Sequence, residues 1–342
     1  MMPAMYAAIS GLEAHQTMLN VTANNLANVD TIGFKSQRTT FQSELSELIS
    51  VGSSQTASNA GTNPEQVGLG VEVGSIDQLM SAGSLQSTGN ALDVALQGDG
   101  FLVVGTSDGT VAAPTANGSG TPPTTSGYQP ALASGNAAVA INSGSAAAGV
   151  SKTALPTAIS FTRAGNLTTD AQGFLTTASG QYVLGYATPQ GSAQSSEPGS
   201  AAAQTATGST YIYIPPGSTQ VSIGPSGAVT YTDNNPSDTN YGKTCIAGYL
   251  AVASFPNEAG LTRNAGTSWT ESPNSGSPSF GTPDSGAFES TQTISGELEQ
   301  SNVDMATEFT NMIEAERGYQ ANSSVIQTAD TMMQTLIQMA QS

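Results

Sequence analysis

The sequence predicts an α+β fold: long N- and C-terminal helices pair as a coiled-coil-like rod, and the middle of the chain forms a mainly antiparallel β domain. Three observations carry this. Residues 301–342 keep a helical apolar period without a proline, and the first 28 residues keep the same period. Between them, apolar residues fall in short runs broken by glycine, the pattern of strands joined by turns.

The C-terminal stripe consists of Met305, Phe309, Met312, Tyr319, Ile326, Met333, Ile337 and Ala340, with Glu316, Ser323 and Asp330 as polar members. Asn302 or Asp304 can cap its start, and Glu308 adds negative charge to the first turn. A helix of ~38 residues is ~57 Å long and calls for a second helix beside it. The N-terminal stripe, Met5, Ile9, Leu12, Leu19, Ala23 and Leu26 with Gln16 as its polar member, supplies one. Both stripes are thin and rich in Met and Ala. One pair buries little, so the ends are expected to order fully only against copies from other chains.

The first helix is expected to end around Asn24-Asn25-Leu26-Ala27-Asn28, because asparagine is a poor interior helix former. Thr31-Ile32-Gly33-Phe34-Lys35 reads as a turn, with Gly33 at positive φ and Phe34 as an anchor. The spacing of Phe41, Leu45, Leu48 and Ile49 predicts a short helix within 36–50. Residues 51–66 read as a polar loop or extended hairpin.

From Val67 onward the sequence predicts strands, with turns at Gly83, Gly89-Asn90, Gly98-Asp99-Gly100, Gly165-Asn166, Asp170 to Gly173 and Ser179-Gly180. Strands at this spacing point to a sandwich or barrel-like domain. Two stretches break the pattern. Residues 106–158 form an Ala/Ser/Gly/Pro-rich insertion with a weak alternation at Ala138 to Ile141, and 187–209 form a linker. The domain reading is therefore nested. Residues 1–35 and 297–342 make the α-helical domain. Residues 36–75 and 285–296 connect it to a β-rich core of 76–105 and 159–284, which carries the insertion.

Composition excludes several functions. Among 342 residues there are 7 Lys and Arg against 25 Asp and Glu, a net charge of −18. Scattered cations at that density do not meet nucleic-acid phosphates or an anionic membrane surface. One Cys and one His rule out an intrachain disulfide and Cys- or His-rich metal sites. No apolar run spans a bilayer, and the N-terminus lacks the basic region and apolar core of a signal peptide. High Gly, Ser, Thr, Ala and Asn with few Lys suits a secreted or surface protein, so signal and composition pull apart.

His15 and Cys245 are the candidate reactive groups. His15 lies on a helix destined for packing, and Cys245 lies on an apolar strand as a small hydrophobe. Gly98-Asp99-Gly100 lacks the Lys and helix of a phosphate loop. No catalytic residue, metal or cofactor is expected. Glu314, Glu316 and Arg317 read as a solvated face. Trp269 reads as core and Tyr319 as a contact on the seam.

Several motifs together resemble the bacterial flagellar axial proteins, the hook and rod family. At the N-terminus these are Ser10-Gly11-Leu12, Asn24 to Asn28, and Thr31 to Lys35. In the middle they are Ala91-Leu92-Asp93-Val94-Ala95-Leu96-Gln97-Gly98-Asp99-Gly100-Phe101, then Phe161-Thr162-Arg163-Ala164-Gly165-Asn166 and Gly173-Phe174-Leu175. At the C-terminus they are Ser301-Asn302-Val303-Asp304 and Glu316-Arg317-Gly318-Tyr319-Gln320-Ala321-Asn322-Ser323. Each is modestly specific; all in order are highly specific.

The resemblance implies a structural subunit that polymerises into a hollow helical tube, with the termini inside and β domains outside. It implies export through the flagellar type III apparatus without a cleaved signal peptide, and an extracellular place in the flagellum, which reconciles signal and composition. The implied partners are further copies of the chain, other axial proteins of the rod and hook–filament junction, the hook cap and the export apparatus. Residues 61–70 and 83–90 look more like hook proteins, whereas Tyr211 to Glu289 looks as much like a distal rod protein. The reading favours a hook subunit with a reduced outer region, with distal rod as runner-up. A secreted adhesin or β-rich enzyme is the alternative of another class; it calls for a convergent polar pocket that no motif supplies.

Overall fold

A computed structural model describes residues 2–52, 54–55, 60–61, 63–106, 159–187, 209–234 and 241–341. Most of the 106–158 insertion, including Ala138 to Ile141, and most of the 187–209 linker lie outside the described residues. The chain divides into two compact units: one of Met1–Val29, Lys35–Met80 and Val303–Ser342, the other of Asp30–Phe34 and Ser81–Asn302. The first has the long helices and the second is built mostly of antiparallel strands, an α+β chain.

The first unit contains α1 (Met2–Ala27), four strands, β1 (Gln37–Ser43), β2 (Ser46–Ser50), β3 (Glu65–Gly68) and β4 (Val71–Gln78), and α2 (Met305–Gln341). α1 ends within the asparagine-rich stretch. α2 is 37 residues long and is capped by Asp304, whose carboxylate accepts from Ala306 N–H at 3.0 Å and from the Thr307 hydroxyl at 2.8 Å. Those two donors hold the Asp304 carboxyl below its ordinary range.

Residues 36–50 are not helical, which corrects the sequence reading. β1 pairs antiparallel with β4, from Gln37 opposite Gln78 to Ser43 opposite Val71, and β2 pairs with β3. The partner strand settles the matter: β4 alternates in exposure along Val71, Val73 and Ser75, as a half-covered strand should. Thr39 and Thr40 also favour the extended form.

The second unit starts with β5 (Leu85–Ser87), β6 (Val94–Gln97), β7 (Phe101–Gly105), β8 (Ile159–Thr162), β9 (Leu167–Thr169), β10 (Leu175–Thr177), β11 (Tyr182–Ala187) and β12 (Ser209–Tyr211). β13 (Thr219–Ile223), β14 (Ala228–Thr232), β15 (Thr244–Leu250), β16 (Val252–Ser254), β17 (Thr262–Arg263), β18 (Ser268–Thr270), β19 (Ser279–Gly281), β20 (Gln292–Ser295) and β21 (Glu297–Glu299) complete it.

The main sheet runs β13-β14-β15-β11-β7-β8-β18-β17, with β9, β10, β12, β16 and β19 paired along its sides. β20 pairs with β6 and β21 with β5, so the strands leading back to α2 are held by the first strands of the unit. The core includes Val94, Leu102, Leu167, Leu175, Val229, Cys245 and Leu250. A second cluster of rings joins Phe101, Phe161, Phe255 and Trp269. Trp269 and Cys245 are buried, as the sequence reading has them.

Candidate assembly surface

The first unit is built around α1. On one side α1 meets α2, and three contacts fix their relation. A side chain added at Gly11 would meet the Asn322 amide, one added at Gly318 would meet the His15 ring, and Asn25 is hydrogen-bonded to Glu308. Going up α1 by four residues, from Gly11 to His15, goes down α2 by four, from Asn322 to Gly318. The next ten, to Asn25, match the ten back to Glu308. The helices are antiparallel and in one constant register.

Among the described residues, the buried positions of this helix pair are Ala8, Gly11, Ala14, Thr22 and Asn25 on α1 and Ala315 and Ala329 on α2. The seam is made of small and polar residues, which let the helix backbones approach closely. The larger residues of the stripes read from sequence stand beside it. Met5, Leu12, Leu19, Leu26, Met312 and Ile326 are half-buried; Ile9, Met305, Phe309, Tyr319, Met333 and Ile337 are exposed.

α1 also lies along the β1–β4 ribbon, and His15 and Asn25 touch both the ribbon and α2. Ser10 Oγ accepts from Val71 N–H at 3.2 Å, and Asn25 Oδ1 accepts from Gln37 N–H at 3.0 Å. The intervening helix is ~22 Å long, and the ribbon between those points is about 20 Å, so the two elements match. His15 packs its ring against Phe41 between these anchors, 5.9 Å between centroids. The β2–β3 pair exposes Leu48, Ile49 and Val67, with Leu45 and Val51 exposed beside it.

The helix register leaves a third feature. It sets Thr331 level with Met2, so residues 332–341 run ~15 Å past the described end of α1. Met332, Met333, Leu336, Ile337 and Met339 on that projection are 41–66 % exposed. These residues follow one another along the projection instead of standing singly, the arrangement that marks an interaction surface. Among the described residues no helix is long and apolar enough to cross a membrane.

Most of the remaining motif residues make contacts within their own unit. Asn28 Nδ2 donates to the Asn24 carbonyl at 2.8 Å, closing α1. In the second unit, Gly33 takes φ +68° and donates its N–H to the Glu299 carbonyl at 2.8 Å. Phe34 is wholly buried, with the Arg263 guanidinium 4.2 Å from its ring centre. Burial lowers the Arg263 pKa. Asp93 accepts from the Thr88 hydroxyl at 2.6 Å and from Asn90 at 3.2 Å, fixing the turn into β6.

Gly98 and Gly100 take φ +106° and +120° in the β6–β7 turn, where a side chain is disfavoured. The Gly98 carbonyl accepts from Arg163 Nη2 at 3.0 Å, and Arg163 also lies over the Phe101 ring at 5.3 Å. Gly165 packs on the Val94 carbonyl, leaving no room for a Cβ. Asn302 donates to the Ser81 carbonyl at 3.2 Å; Val303 is half-buried and Arg317 exposed.

Sequence reading missed the seam and Glu299. The signal for the seam was present: Ala8, Gly11, Ala14 and Ala315, Gly318, Asn322 and Ala329 recur at helical spacing, but a search for large apolar residues passes over them.

The chain is similar to known proteins. A flagellar basal-body rod protein, FlgG of Bacillus subtilis, is 34% identical over 341 residues, 98% of each chain. The chain belongs to the flagellar hook and rod family. Three family models match: the flagella basal body rod protein over residues 5–35, the flagellar hook protein FlgE/F/G D1 domain over 152–231, and the flagellar basal body rod FlgEFG protein C-terminal over 294–339. FlgG of Agrobacterium fabrum is 28% identical over 333 residues, 97% of each chain. Within the same family, the flagellar hook protein FlgE of Borreliella burgdorferi is 48% identical over 104 residues, 30% of this chain and 24% of that one. The chain thus matches these two rod relatives end to end, a third FlgG, of Caulobacter vibrioides, over 105 residues, 30% of this chain and 40% of that one, and about a quarter of the hook relative.

Proposed function

We propose that the chain is a structural subunit of the flagellar axial tube, non-enzymatic, and that its place is the distal rod of the basal body. The rod assignment departs from the hook favoured on sequence motifs. The observation that carries it is the end-to-end likeness to two FlgG rod proteins, against a likeness to FlgE confined to a quarter of that hook protein's length. The hook remains the second reading, favoured by the higher identity over that short stretch.

In this reading the apolar stripes are the cohesion of the tube. Ile9, Met305, Phe309, Tyr319, Met333 and Ile337, exposed on one chain, are covered by further copies. Met5, Leu12, Leu19, Leu26, Met312 and Ile326 complete the same contacts from the edge of the seam. A contact that repeats head to tail without closing generates a helical filament. The subunit travels through the flagellar export apparatus, keeps its N-terminus, and meets other axial proteins at the two ends of its segment. The motif residues of the β unit keep that unit rigid.

Electron microscopy of basal bodies from cells lacking the gene tests the assignment. The rod reading expects a shortened rod with no hook. A complete rod missing only its hook overturns it in favour of the hook. Complete flagella overturn the axial reading itself.

A further inference from the structure

A seam of alanine and glycine binds helices closely but specifies register weakly, because one small residue fits opposite another after a slip. In paired helices a single buried polar residue is the device that fixes register. Asn25, 1% exposed, occupies that position. Its Oδ1 accepts from Gln37 N–H at 3.0 Å while its Nδ2 donates to the Gln37 carbonyl at 2.7 Å. The side chain thus pairs with the backbone of Gln37 as a neighbouring strand would. The remaining Nδ2 hydrogen goes to Glu308 Oε1 at 3.0 Å.

Both donor hydrogens are used, and the second is used only when α2 brings an acceptor to this level. Slipped by seven residues, α2 would set Ala315 opposite Asn25 and leave a buried amide hydrogen without a partner. The same slip would move Gly318 from under the His15 ring and put Val325 there.

We propose that Asn25 is the positioning residue of the assembly unit. It joins the end of α1 to β1 and sets the register of α2 through Glu308, and thereby sets how much of residues 332–341 projects for a neighbouring copy. This rests on the axial-subunit reading.

The test is a four-way comparison of the full-length chain in cells lacking the native gene: wild type, Asn25→Asp, Glu308→Gln, and the double variant. Asn25→Asp removes both donors and sets a carboxylate against Glu308. Glu308→Gln keeps an acceptor and adds a donor that can answer that carboxylate. Basal bodies are purified and the incorporated subunit is measured. Glu308→Gln should stay within about twofold of wild type, Asn25→Asp should fall about tenfold or more, and the double variant should recover at least half of the loss. Normal incorporation of Asn25→Asp, or a double variant no better than it, overturns the proposal.

Intact flagella in cells without the gene overturn the axial reading instead. The clamp is then read on the purified chains from the urea midpoint of helix loss by circular dichroism. A double variant that unfolds at higher urea than Asn25→Asp supports it; equal midpoints overturn it.

Discussion

Arg163 and Glu299 form an ion pair in the interior of the β unit: their side chains are 2% and 0% exposed, with Arg163 Nη1 3.5 Å from Glu299 Oε2. Glu299 Oε1 also accepts from Gly83 N–H at 2.9 Å, and Arg163 Nη2 donates to the Gly98 carbonyl. One pair therefore ties β21, the approach to β5, the β6–β7 turn and the end of β8. Removing one partner of a buried pair strands the other charge.

Glu299→Ala should accordingly destabilise the chain by about 3–5 kcal/mol, and Glu299→Gln by less, since it keeps an acceptor for Gly83. Trp269 reports on this directly, because its ring lies 5.5 Å from Phe101, the ring under Arg163. Urea unfolding followed by its fluorescence measures the difference. A Glu299→Ala midpoint equal to wild type would show that the pair is not holding these segments.

Gly165 gives a sharper steric case. Its carbonyl accepts from Val94 N–H at 2.9 Å while its α-carbon faces the Val94 carbonyl, and an added Cβ would overlap that oxygen. Both groups belong to backbone, so neither can rotate aside. Gly165→Ala should cost upwards of about 3 kcal/mol, the scale of forced core overlap. The neighbouring Ala164→Gly should cost far less. The same fluorescence titration separates them.

What could be read from sequence was whatever depends on neighbours along the chain. The period of Met305, Phe309 and Met312, the cap at Asp304, and the positive φ of Gly33, Gly98 and Gly100 are local consequences of residue type. The helix expected near Phe41 and Leu45 failed because β1 is settled by β4, which the chain reaches only after β2 and β3. Asn25 was legible as a helix ender. Its work as a clamp depends on Gln37 and on Glu308, 283 residues away. The seam was hidden for a further reason. Close helix packing selects for small side chains, so large apolar residues of the stripes stand at its edge, half-buried like Leu12 and Ile326 or exposed like Phe309 and Ile337.

Tyr186 predicts a pH dependence. It is 6% exposed, its hydroxyl has no hydrogen-bond partner among the described residues, and burial pushes its pKa up to about 12. The folded state resists ionisation that the unfolded chain undergoes near pH 10. Between about pH 10 and 12 the unfolded state holds fewer protons, so stability falls as pH rises. The loss from this residue reaches roughly 2–3 kcal/mol at the top of that window. Tyr186→Phe should remove that part of the alkaline loss. At pH 7 it should leave stability unchanged or raise it by about 1 kcal/mol, since an unpaired buried hydroxyl is removed. Unfolding midpoints of both chains at pH 7, 10 and 11 give the comparison. A Tyr186→Phe chain that follows wild type through the alkaline range would refute it.

The projecting end of α2 separates folding from assembly. Leu336 and Ile337 are 46% and 56% exposed and lie beyond the described end of α1, so they do little to hold the first unit together. If further copies cover them, each buries an aliphatic side chain worth about 1.5–3 kcal/mol on full burial, and the contact repeats along the tube. Leu336→Asp with Ile337→Asp should therefore leave the unfolding free energy of the purified monomer, read from a urea titration, within about 0.5 kcal/mol of wild type, as surface substitutions do. The same pair should reduce incorporation into basal bodies by tenfold or more. Charge is the right probe here, because an unpaired carboxylate tolerates water and resists burial. Normal incorporation would place the copy-to-copy contact elsewhere on the unit, with the exposed Leu45, Leu48 and Ile49 around β2 next to be substituted. A large fall in monomer stability would instead mean that the projection packs on its own chain.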